Sequence, residues 1–359
     1  MEPYWFLFLV PAWLAVTRLR PAATGVSQSK RWPAWWRVVF VLLVLMIGLR
    51  HEVGGDWLTY IEHISSANYQ TLSVAVGQGD PAYSLLNWVA AKTGLGPYFV
   101  NTVCAAIFSW GLVVFCRAQP RPWLALVVAV PYLVTVVAMG YTRQGTAIGL
   151  AMLGLVALSE RKLLRFAVFV VLAALFHKTA ILLLPLAALA GTKHRGWTLV
   201  WVAIVSVVFY VLLLQESVAA LNAGYITAQY QSQGAAIRVA MNAVPAVIFL
   251  WLRRRFVMPQ ADRSFWVWMS LGALGFVGWL AVSPSSTAVD RVALYWIPLQ
   301  LFVFSRLPNA LGKPNGRNGV LVRWVVFYSA CVLFVWLVFA QTAFAWLPYQ
   351  FYPWVALWN

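Results

Sequence analysis

Residues 31–60 read RWPAWWRVVFVLLVLMIGLRHEVGGDWLTY, and the organisation of the whole chain is legible in them. Arg31 and Arg37 lie among the tryptophans Trp32, Trp35 and Trp36 at one edge. From Trp36 to Leu49 the only charge is Arg37, and then Arg50, His51, Glu52 and Asp56 follow within a few residues. A helix that crosses a bilayer needs about 20 apolar residues, with aromatic side chains at the lipid–water boundary. The segment is therefore one span with a basic end and an end carrying acids and histidine.

The same unit recurs along the sequence. Of 359 residues, 62% are hydrophobic and 10% are charged, whereas a soluble domain carries about a quarter charged residues. The 21 Trp and 14 Tyr suit aromatic belts at two membrane surfaces. A net charge of +17 invites a nucleic-acid reading, but the cations alternate with apolar runs and form no single basic face or tail. Cys104, Cys116 and Cys331 lie inside apolar runs without metal or redox spacing. The first run has Glu2 before it and Arg18 and Arg20 after it, the reverse of a signal peptide, so it is expected as a retained helix.

Apolar runs between charged clusters predict an all-α, polytopic membrane protein of about twelve spans. They are Tyr4–Val16, Trp36–Leu49, Tyr98–Phe115, Trp123–Met139, Gly145–Leu158, Leu164–Phe176, Thr179–Ala190, Trp197–Leu214, Ile237–Leu252, Phe265–Val282, Val292–Phe304 and Trp324–Leu347. Residues 1–359 form one transmembrane domain, with outward-facing loop regions over 50–96 and 215–236. The loops after odd-numbered runs hold 20 of the 26 Lys and Arg. The positive-inside rule puts those loops in the cytoplasm and both termini outside. Seven of the nine acids, with His51, His63 and His177, share the other face with Arg50, Lys92, Arg143, Lys178, Arg238 and Arg291. These six cations oppose the topological bias, so chemistry is sought among them.

Five motif segments lie on that face. They are Arg50 to Tyr60, Gly79 to Trp88, Gly140 to Gly145, Phe176 to Thr179 and Val289 to Tyr295. The glycine pair Gly54-Gly55 would let Asp56 and Trp57 turn back toward Arg50. Such placement suits a ligand with a lipid tail in the bilayer and a charged head at the surface. The planar fork of arginine matches a diphosphate, and desolvating an arginine near the bilayer is unfavourable, by roughly 2.5–3.5 kcal/mol at its centre on insertion scales. Arg143 and Arg291, at helix ends, are the expected diphosphate ligands, with Arg50 supporting. Asp56 and Asp290 are the candidate partners for pairing.

In order and spacing these segments resemble the EpsG family of bacterial exopolysaccharide polymerases, related in role to Wzy-type polymerases. The resemblance runs through Arg50 with Gly54–Tyr60, Asp80–Tyr83, Arg143-Gln144, Phe176-His177 and Asp290–Tyr295, covering about residues 50–300. The family more often has Glu where Asp80 stands, and His51-Glu52 is polar where small or apolar residues are expected. The resemblance implies a GT-C-type membrane glycosyltransferase in the bacterial inner membrane. It would extend undecaprenyl-diphosphate-linked oligosaccharide units on the periplasmic face, beside other exopolysaccharide assembly and export proteins. No cofactor and no metal are expected, since the sequence has neither a Gly-rich phosphate loop nor a dense acidic cluster, and cationic side chains would stabilise the leaving diphosphate. Trp57, Tyr60, Tyr83 and Tyr295 are expected to hold sugar rings, with His51, Glu52, Asp80, Gln144 and Asp290 in support. His177, at the start of an apolar helix beside Lys178, is expected to stay neutral and act as base, with Asp56 the alternative. A ligase using the same donor and a lipid-linked glycan transporter or flippase are the rival readings.

Overall fold

A computed structural model describes residues 1–21, 31–77, 79–186, 234–313 and 315–358, with Val200 and Ile204. The apolar runs form helices because lipid offers no partner for a backbone N–H or C=O, so each segment satisfies its own. In chain order these are α1 (Glu2–Thr17), α2 (Ala34–Gly48), the short strand β1 (Arg50–His51), α3 (Trp57–Asn68), α4 (Leu72–Gly77) and α5 (Pro81–Thr93). Then come α6 (Gly96–Arg117), α7 (Pro122–Ala129), α8 (Thr142–Ser159) and α9 (Leu163–Phe176). Later helices cover Ala235–Leu252, Gln260–Val282, Ser286–Ala293, Ile297–Leu311 and Gly319–Phe339, followed by strand β2 (Gln350–Phe351) and the helix Tyr352–Trp358.

Among the described residues, five helices are long and apolar enough to cross a membrane, and Ala34–Gly48, Pro122–Ala138 and Leu163–Phe176 are shorter apolar helices. The expected count of about twelve is larger than the five long and three shorter apolar helices among the described residues. The expected span Thr179–Ala190 begins as a six-residue 3₁₀ helix, Lys178–Leu183; residues 187–190, the expected span Trp197–Leu214 apart from Val200 and Ile204, and residues 215–233 of the second loop region fall outside the described residues. The region 50–96 is itself helical, through α3 to α5.

The centre of the bundle is α7 with its continuation, the π-helix Val130–Ala138, whose residues are all buried, and α8, buried along nearly its whole length. Gly111 of α6 and Gly149 of α8 let two helix backbones meet, since a Cβ on Gly111 would lie 1.9 Å from the Gly149 carbonyl. Small residues at such crossings are how membrane helices gain packing without a hydrophobic drive between them. Outer helices are apolar on their exposed sides too: Trp324, Phe327, Phe334 and Val338 of the last long helix are all exposed.

The helix ends define two poles. At one, Leu19, Arg121, Asn309 and Gly316 are joined by hydrogen bonds. At the other, the chain after Phe339 folds over the bundle. β2 pairs antiparallel with β1, Arg50 opposite Phe351. The Gly54 N–H donates to the Ala345 carbonyl at 2.8 Å, and the Trp346 indole donates to the Thr135 carbonyl inside the π-helix. Gly54 has φ +105°, and a Cβ there would lie 2.6 Å from the Met139 carbonyl. Only glycine fits this site, whereas Gly55 has open space around it. Loops that the charge pattern assigns to opposite faces thus lie at opposite ends of one bundle.

Candidate functional site

All five motif segments converge at the pole covered by the C-terminal chain. Arg50 forms its floor. Its side chain is fully buried, and Nε donates to the Val53 carbonyl at 3.1 Å while Nη1 donates to the Ile47 carbonyl at 2.5 Å. Nη2 donates to Thr142 Oγ1 at 2.7 Å and faces Asn101 Oδ1 at 3.4 Å. A guanidinium so enclosed orders the turn after α2 and the first residue of α8, and its expected contact with a ligand is not available in this geometry. Nor does Asp56 turn back to it. The Asp56 carboxylate lies 3.5 Å from the Tyr60 hydroxyl, because acceptors from three other segments already occupy Arg50.

Above that floor sits Asp80, at the N-cap of α5. An aspartate before Pro81 is a ready capping residue, yet its carboxylate makes no cap hydrogen bond. It reaches two other elements. Oδ2 accepts from Arg143 Nη1 at 3.1 Å and Oδ1 accepts from the Lys178 backbone N–H at 3.1 Å. Asp80 therefore takes the role expected of Asp56 or Asp290 and ties α5, α8 and the α9–3₁₀ junction together. Burial pushes its carboxyl up, and Arg143 and the Lys178 amide oppose that shift. Arg143 lies over the Tyr83 ring at 5.7 Å, and its side chain stays 35% exposed against 9% for Asp80. One face of this ion pair is open.

His177 follows α9 and caps the 3₁₀ helix, with extended backbone at φ −157°. Its Nδ1 lies 2.7 Å from Thr179 Oγ1 and 3.2 Å from the Tyr295 hydroxyl. Burial, then the charges of Arg143 and Arg291, push the imidazole pKa down to about 3. That shift favours the neutral ring, and the helix that His177 starts is a single short 3₁₀ stretch. Both expected diphosphate ligands thus act on the same imidazole.

Arg291 is the second cation. Its guanidinium lies 4.0 Å from the centre of the Tyr141 ring, a geometry in which ring quadrupole and cation attract. Gln144 Nε2 donates to the Arg291 carbonyl at 2.5 Å, fixing that turn against the start of α8. Asp290 is not Arg291's partner. Arg238 Nε and Nη2 grip its two oxygens at 2.6 and 2.8 Å. Among the described residues no acid lies within ion-pair distance of Arg291. Arg238 and Thr179 are the site residues that the sequence reading left unassigned. The signal for Arg238 was present, since it is one of the six cations placed against the topological bias.

The aromatic residues behave differently from expectation. Trp57, Tyr60, Tyr83 and Tyr295 are buried, and the Tyr60 hydroxyl accepts the Thr142 N–H at 3.0 Å. They are walls rather than open platforms for sugar rings. His51 and Glu52 engage other groups: His51 Nδ1 lies 2.5 Å from the Tyr98 hydroxyl, and Tyr98 stacks on Tyr352 at 3.7 Å. Glu52 adopts a positive φ of 52° with its side chain exposed. Among the described residues no three His, Cys, Asp or Glu side chains group as metal ligands.

The pole brings together Arg143 in the first turn of α8, Arg291 over the N-cap Tyr141 of that helix, and a His177 imidazole that feels both charges. No curated protein and no solved structure matches the chain. The family model described as "EpsG family" matches residues 34–351, from the first residue of α2 to the last of β2, the strand that closes over Arg50. The match takes in every motif segment and most of the chain, and the protein is therefore a member of the EpsG family, the exopolysaccharide polymerase-like family.

Proposed function

We propose that the protein is a polysaccharide polymerase that extends undecaprenyl-diphosphate-linked oligosaccharide units on the periplasmic face of the inner membrane, without a metal ion. The observation that carries this reading is the pairing of Arg143 and Arg291 about His177 at the start of α8. Each charged hydrogen bond from these arginines to phosphate oxygen contributes about 1.5–3 kcal/mol. The helix N-terminus adds a favourable field for an anion.

In the reaction, a hydroxyl oxygen of the acceptor glycan bonds to the anomeric carbon of the donor. The bond from that carbon to the diphosphate breaks, and its electron pair stays on the diphosphate, whose charge Arg143 and Arg291 neutralise. The hydroxyl proton passes to His177, with Asp56 the alternative acceptor. A base held near pKa 3 is weak for this task. The bound diphosphate supplies the remedy, because its negative charge offsets the two arginines and restores proton affinity to the imidazole as the site fills.

Purified protein supplied with lipid-linked repeat units should give polymer. In cells lacking the gene, single repeats at the surface fit a polymerase, whereas carrier-bound polymer left unattached would make the protein a ligase. In a cysteine-free background, an impermeant thiol reagent applied to intact cells should label Thr93→Cys and spare Glu160→Cys. The reverse pattern would put the site on the cytoplasmic face.

A further inference from the structure

The backbone and ring of His177 are held on every side but one. Its N–H donates to the Ala173 carbonyl, and its own carbonyl accepts from Ala180, both at 2.9 Å. The next peptide N–H is bound by Asp80. Nδ1 meets Thr179 Oγ1 and the Tyr295 hydroxyl, and the Thr179 hydroxyl donates onward to Tyr295 at 3.4 Å. Among the described residues, Nε2 has no hydrogen-bond partner. We infer that Thr179 and Tyr295 are positioning residues that keep the proton of His177 on Nδ1, so that Nε2 presents its lone pair to the acceptor hydroxyl.

The hydroxyls form a relay with one consistent direction. Nδ1–H donates to Thr179 Oγ1 over the shortest of the three contacts, and Thr179 donates to Tyr295 over the longest. The opposite tautomer would put an N–H on the open nitrogen. The positive charges of Arg143 and Arg291 act on this ring and oppose a second proton on it. A histidine becomes a directed base when a third group fixes the tautomer of its far nitrogen. Here a threonine hydroxyl fills the place that a carboxylate occupies in hydrolytic triads, which suits a site that must bind an anion nearby. Tyr295 comes from a chain segment far from His177, so the relay also couples the α9 junction to the helix that carries Arg291.

This inference rests on the proposed function, and the experiment separates the two. Protein with ¹⁵N-labelled histidine has four imidazoles, and the resonance missing in His177→Gln identifies His177. We expect Nδ1 protonated and Nε2 unprotonated in the resting protein, with that preference lost in Thr179→Val and kept in Thr179→Ser. An Nε2-protonated ring in the unaltered protein, or an unchanged tautomer in Thr179→Val, would overturn the inference whether or not polymer forms. In the polymerisation assay, Thr179→Val should lower kcat by about 10–100-fold with KM little changed, and Thr179→Ser should recover most of it. Tyr295→Phe should lie between them. If His177→Gln is inactive while Thr179→Val keeps full kcat and an unaltered pH profile, the relay fails and the function stands. If the unaltered protein makes no polymer, the function fails, and the tautomer measurement still decides the relay.

Discussion

At the basic pole Arg121 is buried with every side-chain nitrogen committed: Nε donates to Asn309 Oδ1, Nη1 to the Leu19 carbonyl and Nη2 to the Gly316 carbonyl. Nearby Arg306 lies over the Phe302 ring and donates to Gln119. At the polar pole, among the described residues, Arg143 has a single carboxylate partner and an open face, and Arg291 rests on an aromatic ring with no acid within ion-pair distance. Arg121 closes three chain segments on one another, while in the proposed function Arg143 and Arg291 donate to the diphosphate. Arg50 belongs with Arg121 by this criterion, although it stands at the other pole. An arginine's position along the chain tells which face it reaches, and its acceptors tell whether it holds the fold or waits for a ligand.

The largest expected effect tests that division directly. Arg143→Ala and Arg291→Ala should lower polymerisation more than 100-fold with the protein still inserted, an order set by the loss of charge stabilisation at the leaving group. Lysine at either position should restore it only in part, because the fork is lost. Arg121→Ala should leave turnover per folded molecule within about threefold, the range of a structural change remote from the site. Equal losses at both poles would erase the distinction.

Stability should run the other way. Arg50→Met and Arg121→Met each strand several buried acceptors, and each should destabilise the protein by about 3 kcal/mol or more in a detergent unfolding titration. The alanine variants of Arg143 and Arg291 should cost less. A milder case lies in the glycine pair of the polar pole. Gly54→Ala meets the Met139 carbonyl at a positive φ and should cost about 2 kcal/mol, whereas Gly55→Ala should fall within about 0.5 kcal/mol of the parent.

The smallest effect is a pH dependence confined to the polar pole. Burial and the neighbouring arginines hold His177 near pKa 3, and burial first, then Arg143, lowers His63. Above pH 6.5 both rings are neutral whether the protein is folded or not. As pH falls below 6.5 the unfolded chain takes protons that the folded protein refuses, so stability declines, by up to about 1.4 kcal/mol per pH unit for His177 and by less for half-buried His63, whose charge solvent screens. The thermal midpoint should drop between pH 6.5 and 5.5, and His177→Gln should flatten the drop. A midpoint that rose on acidification would mean that the histidines gain partners for the charged form.

The sequence by itself determined that the chain is a bundle of apolar helices, which of its loops share a pole, and which five segments meet there. Hydropathy and charge are properties of short stretches, and lipid acts on them directly: it forces helices wherever charge is absent and sorts cations to one end. Tertiary structure alone decided the partners. Asp80 rather than Asp56 or Asp290 meets Arg143, Arg238 takes Asp290, Arg50 turns inward, and Thr179 with Tyr295 holds His177. These pairs join residues from 2 to 118 positions apart, and the longer ones depend on how each helix is rotated and how closely backbones approach, as at Gly111 and Gly149. Rotation about a helix axis leaves hydropathy unchanged along a run that is apolar all round, so the sequence of such a helix cannot say which of its neighbours a polar end will meet.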